Sequence, residues 1–109
     1  MSDDFYCNEV LAGRTQVTVV AETEHVLAFK HTNPSWPVHI VVIPKCHTES
    51  MLSFLENHSD LLPEMMSVIS QVARDVTRQY GGCRLTTNFG SYQQTRHLHW
   101  HIYVGETMT

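Results

Sequence analysis

Long apolar runs are missing from this chain of 109 residues. The longest aliphatic run, Ile40-Val41-Val42-Ile43, is far shorter than the roughly 20 residues a membrane-spanning helix needs. Basic residues are also scarce, with 7 Lys and Arg against 11 Asp and Glu and a net charge of -4. No basic stripe exists to track a phosphodiester backbone, so neither nucleic acid nor a membrane is expected as a partner. A single phosphate group is a different matter, since it needs only local donors. Cysteine is limited to Cys7, Cys46 and Cys83, an odd number with no Cys-x-x-Cys among them. That argues against a disulfide framework and for a reducing compartment. The opening Met1-Ser2-Asp3-Asp4 is acidic where a secretory signal is basic and then apolar, so a cytoplasmic location is expected.

Repeats, linkers and low-complexity tracts are absent as well, and the length suits one domain, residues 1–109, with one core. Val10 and Leu11 can close a short helix stopped by Gly13. Gln16 to Ala21 and His25 to Lys30 read as two strands of a hairpin, rich in β-branched and aromatic residues. Asn33-Pro34-Ser35-Trp36-Pro37 is a stiff loop, because each proline fixes its own φ and restricts its predecessor. Val38 to Ile43 is a third strand, apolar on both faces and stopped by Pro44. A short helix is expected around Met51 to Leu55. One long helix follows, with Ser59 or Asp60 as its cap and Pro63 in its first turn. Its apolar stripe is Leu62, Met65, Met66, Ile69, Val72, Ala73 and Val76, a core face rather than a cofactor box. Gly81-Gly82 ends it, and Cys83 to Asn88 is a fourth strand. The fold class is therefore α+β, a largely antiparallel five-stranded sheet with one long and one short helix.

The fifth strand carries the chemistry. His97-Leu98-His99-Trp100-His101-Ile102-Tyr103-Val104 alternates imidazoles with large apolar residues. Side chains on a strand point to opposite faces with period two. His97, His99, His101 and Tyr103 thus share one face, and the other anchors in the core. Three titratable rings side by side are costly to desolvate and charge, which marks a site rather than a stabilising element. His39 lies on a mostly apolar strand and, alone, reads as a satisfied core or rim histidine.

Two readings of the strand follow. In one, alternating imidazoles ligate zinc, with water or a fourth ligand completing a tetrahedron. Against it, only Glu106 is a nearby carboxylate in sequence, so the groups that orient ligand imidazoles are not evident. In the other, one neutral imidazole attacks a phosphorus centre while its neighbours orient it and neutralise charge. Amides of the preceding turn, with the side chains of Gln93 and Gln94, can then hold phosphate oxygens. This reading requires no cofactor and no metal.

The strand resembles the His-φ-His-φ-His-φ-φ signature of the histidine triad superfamily, where φ is apolar. The resemblance extends through Val26-Leu27-Ala28-Phe29, Pro34, Pro37-Val38-His39 to Pro44-Lys45, His47, and Arg84 to Gly90. It implies a hydrolase or transferase acting at the α-phosphate of a purine nucleotide, through a nucleotidyl-histidine intermediate. It implies His99 as nucleophile, His101 on the phosphate or leaving group, His97 as orienting residue and His39 as hydrogen-bonding support. Asn88 and Gln93 match phosphate-side residues, while Phe29 and Val10 fall where the family lines its base pocket. His31 stands where the family often holds the ribose with Asp or Asn. Gln94 stands where the phosphoramidate-hydrolysing branch has Ser. A homodimer joined edge to edge through the sheets is also implied. Some bacterial members bind zinc through an N-terminal Cys-x-x-Cys. Here Val10 stands three residues after Cys7, so that pair is missing and Cys7 and His47 are expected to be structural. The competing class is a nucleotide-binding regulatory module with little turnover.

Overall fold

The computed structural model describes residues 4–106. A single π-helical turn, Tyr6–Val10, precedes the sheet, and Gly13 with φ 77° turns the chain out of it. Strands β1 (Val19–Glu22), β2 (Val26–Lys30) and β3 (Val38–Pro44) form a meander. Helices α1 (Met51–Asn57) and α2 (Leu62–Tyr80) follow, then β4 (Arg84–Thr87) and β5 (Trp100–Val104). The strand order is β1-β2-β3-β5-β4, antiparallel at each pairing. The expected fold class is what the chain adopts.

Period-two alternation divides the apolar residues between the two faces. Val26, Ala28, Ile40, Val42, Leu98 and Ile102 pack with Phe54 of α1 and the buried stripe of α2. Leu27, Phe29, Val41 and Ile43 point the other way, against Tyr6 and Val10 of the N-terminal turn. β3 is central in the sheet, with α1 and α2 over one face and the N-terminal turn over the other, so both faces are covered, as its near-continuous apolar sequence predicts.

Several boundaries differ from the sequence reading. β1 starts at Val19 rather than Gln16, and β4 is confined to Arg84–Thr87. Both are edge strands, where pairing on only one side sustains a shorter ladder. Neither Ser59 nor Asp60 caps α2. They form a short 3-10 turn, Ser59–Leu61, that leads into the helix, and Pro63 takes the early position where a missing N–H is harmless. Gly81 closes α2 with φ 91°, a conformation that disfavours a side chain. In the stripe, Met66 is exposed, and Val68 takes its place in the core at 4% exposure. Position 68 lies three residues after 65 and four before 72, which suits helical spacing equally well.

Candidate active site

The triad segment enters the fold before its strand pairing begins. Leu98 N–H donates to the Thr48 carbonyl at 2.7 Å, and the Thr87 hydroxyl donates to the His99 carbonyl at 2.8 Å. Leu98 is driven into the core, so the adjacent histidines face the opposite side. Regular pairing starts at Trp100, and His101 lies between Val41 of β3 and Thr86 of β4.

Each ring has partners that fix its tautomer. The His99 Nδ1–H donates to the His97 carbonyl at 2.7 Å, which leaves Nε2 with a free lone pair. The Ser35 amide donates to His39 Nδ1 at 3.1 Å, so His39 carries its proton on Nε2. That proton goes to His101 Nδ1 at 2.8 Å. His101 is thereby left with an Nε2–H donor. Two backbone groups, Ser35 N–H and His97 C=O, therefore set one imidazole as a base and another as a donor. His99 and His101 meet edge to face at 4.9 Å between centroids.

Electrostatics keep these rings neutral. Burial, with His31, His101 and His99 nearby, pushes His39 down to about 3. Burial and the neighbouring His99 and His31 push His101 down to about 4. His99 is lowered chiefly by burial, and His31 by burial and by His99.

A cavity of about 870 Å³ opens over these rings. His99, His101, His39, His31, Asn88, Gln94 and Phe29 line it, together with Tyr6, Trp36, Tyr92 and Tyr103. The structure thus brings most of the sequence-predicted residues together. Three stand elsewhere. Val10 is buried behind the cavity among Tyr6, Leu27 and Phe29. The Gln93 amide donates to the Glu49 carbonyl at 2.6 Å and is not part of the lining. The His97 ring is fully buried and points away, so only its carbonyl serves the site. Aromatic residues that the sequence reading passed over flank the rings: Trp36 stacks on Tyr103 at 3.9 Å, and Tyr6 lies 5.1 Å from His99. A second cavity of about 420 Å³ lies against α2 at Val72, Val76 and Tyr80, and His31 and His39 line it too.

Two groups of metal-binding side chains occur among the described residues: Asp4, Cys7, His47 and His97, and His31, His39 and His101. The three strand histidines do not converge as one ligand set, because His97 belongs to the first group and His101 to the second. The second group is poorly shaped for an ion. His31 and His39 stack nearly parallel, 4.2 Å apart at 19°, and ligand lone pairs lie in the ring planes, so stacked rings do not aim at a common point. In the first group, Asp4 is the carboxylate the sequence reading did not find beside the triad, because it lies 93 residues away in the chain. Its spacing from Cys7, two residues intervening, is the one signal the sequence offered.

Residues 5–108 match the family model described as "Scavenger mRNA decapping enzyme C-term binding". A HIT-like protein of 13.2 kDa from Azospirillum brasilense is 33% identical over 102 residues, covering 91% of this chain and 84% of that protein. A HIT family hydrolase from Clostridium thermocellum superposes with a TM-score of 0.82 at 31% identity, over 100% of this chain and 96% of that one. A histidine triad protein from Clostridium difficile gives a TM-score of 0.79 at 33% identity, over 98% and 94%. With the ordered rings of His39, His99 and His101 in the same fold, the chain belongs to the histidine triad superfamily.

Proposed function

We propose that this chain is a hydrolase that cleaves purine nucleotides at the α-phosphate through a nucleotidyl-histidine intermediate. The observation that carries the reading is the His99 tautomer. Its Nδ1–H is committed to the His97 carbonyl, so a neutral ring offers the Nε2 lone pair to the cavity. A neutral imidazole is the nucleophilic form, and the lowered basicity of His99 keeps it neutral near pH 7. His99 Nε2 forms a bond to phosphorus as the bond to the leaving group breaks. The His101 Nε2–H, oriented by His39, donates to a phosphoryl or leaving-group oxygen. Water then attacks the nucleotidyl-histidine, releasing the nucleoside monophosphate and restoring the free ring. Asn88 and Gln94 line the cavity as further donors, and Phe29 with Tyr6 supplies an apolar surface for a base. Phosphoramidates and dinucleoside polyphosphates are the substrate classes to test first.

His99→Ala should lower kcat by several orders of magnitude, about what loss of a covalent nucleophile costs. Rapid quenching without acid, using an α-labelled nucleotide, should leave label on the wild-type protein and none on the variant. Tight nucleotide binding with no turnover would identify a binding module instead. Turnover without labelling, with inversion at phosphorus, would make His99 a base rather than a nucleophile. The same reading expects a homodimer joined edge to edge through the sheets, which light scattering of the purified chain would check.

A further inference from the structure

The floor of the second cavity is the α2 face of the sheet. Val26 and Ala28 of β2 point into the core beneath α2, and the same period-two row ends in Lys30. Lys30 pairs in register with Ile40, so the row turns from apolar side chains to a cation where the core runs out. Across from this floor, α2 presents Val72, Asp75, Val76 and Gln79, spaced three and four apart and therefore on one side of the helix. Pro34 and Pro37 of the stiff loop also line the space.

Three features favour a small-molecule ligand there. The volume of about 420 Å³ falls within the roughly 300–1,000 Å³ of small-molecule pockets. Val72 and Val76 are buried, whereas Val20 and Tyr80, which also line the cavity, stay 40% and 49% exposed. Apolar surface left in water beside a cleft gains from being covered. Lys30 on the sheet and Asp75 on the helix place opposite charges on the two walls. Among the described residues, neither forms an ion pair with the other or with a third group. A molecule with one charge of each sign and an apolar body satisfies both walls at once.

We propose that this cavity binds a free α-amino acid with an apolar or aromatic side chain. The Lys30 ammonium donates to the ligand carboxylate, and the Asp75 carboxylate accepts from the ligand ammonium. Gln79, one helical turn after Asp75, offers an amide to either group. The ligand side chain packs against Val72, Val76 and Tyr80. A simple carboxylic acid would leave Asp75 unpaired and facing a like charge, and a simple amine would do the same to Lys30, so the two walls together select the zwitterion. The linings of the two cavities share His31 and His39, and neither His99 nor His101 borders the amino-acid side. The ligand is bound there and not transformed.

The test titrates the full chain with phenylalanine and follows its backbone amide resonances. Saturable shifts should centre on Val72, Val76 and Tyr80. Phenylalaninamide, which lacks the carboxylate, and 3-phenylpropionate, which lacks the ammonium, should each bind about tenfold or more weakly, the worth of one hydrogen bond between charged groups. Glycine, with both charges and no side chain, should bind more weakly still. The variants assign the walls. Lys30→Met should bind phenylalanine and phenylalaninamide alike, and Asp75→Asn should bind phenylalanine and 3-phenylpropionate alike, because each variant lacks the charge that told the two ligands apart. Both side chains are exposed, so neither change threatens the fold. Absence of saturable shifts at up to ~10 mM phenylalanine overturns the proposal. So do shifts centred on Tyr6 and Asn88, which would place the ligand in the triad cavity, and so does equal binding of all three phenyl compounds by the wild-type chain. None of these readouts involves turnover, so they stand whether or not His99 proves to be a nucleophile.

Discussion

At His31, the Asn33 amide donates to Nδ1 at 2.9 Å, which leaves Nε2–H as the only polar atom the ring can offer a ligand. A neutral N–H donor suits an acceptor, whereas a carboxylate would accept from both hydroxyls of a ribose. Under the proposed function, wild-type protein should therefore turn over ribonucleotides and 2′-deoxyribonucleotides with similar kcat/KM. His31→Asp should favour the ribonucleotide by about tenfold, the worth of one added hydrogen bond to a charged group. Equal preference in the variant would remove His31 from the sugar end of the site. The shared face of His99 and His101 is legible in the alternating sequence, because period two decides it. The direction of the His97 ring is not. It depends on Asp4 and on the Pro44 carbonyl, which only the closed sheet brings to it.

Among the elements, the β1–β2 hairpin is fastened to the start of α2 by one side chain. Glu64 accepts from the Thr23 hydroxyl at 2.5 Å, the His25 amide at 2.8 Å and the His25 ring at 2.9 Å. The Thr23 bond first, then those from His25, hold the Glu64 carboxyl down to about 2. A carboxylate depressed in the folded state stabilises it above the unfolded carboxyl range and loses that contribution as pH falls toward about 2. His25 is raised by Glu64, so its share has the opposite sign and fades as pH climbs through its raised value. Glu64→Ala should accelerate hydrogen exchange at the His25 amide while leaving the β3 amides protected. Unchanged exchange at His25 would mean that the hairpin holds itself. The strand and helix assignments follow from residue type and spacing, yet this tie does not, because it joins side chains 41 residues apart. The cap of α2 is a similar case. Ser59 and Asp60 have the right chemistry, but they form a 3-10 turn and Leu61 takes the cap position.

For the molecule as a whole, the site's neutral rings make acid the adverse condition. His39 at about 3 and His101 at about 4 take up protons far later in the folded chain than in the unfolded one, where imidazole titrates near ~6.5. Between those limits the unfolded state binds more protons, so stability falls as pH falls. That contribution is fully present above ~6.5 and is lost progressively toward about 3. Melting temperature should decline over this window, and His39→Asn together with His101→Asn should flatten the decline. An equally steep decline in the double variant would place the acid sensitivity elsewhere. The two cavities share His31 and His39 in their linings, and this adds a consequence of shape. Under the proposed function, the stacked pair borders both the nucleotide cavity and the cavity against α2. His31→Gly should join the two cavities through the gap left by the ring and weaken nucleotide binding. Free imidazole added to that variant should fill the gap and restore nucleotide affinity, a small-molecule switch that the intact chain does not possess.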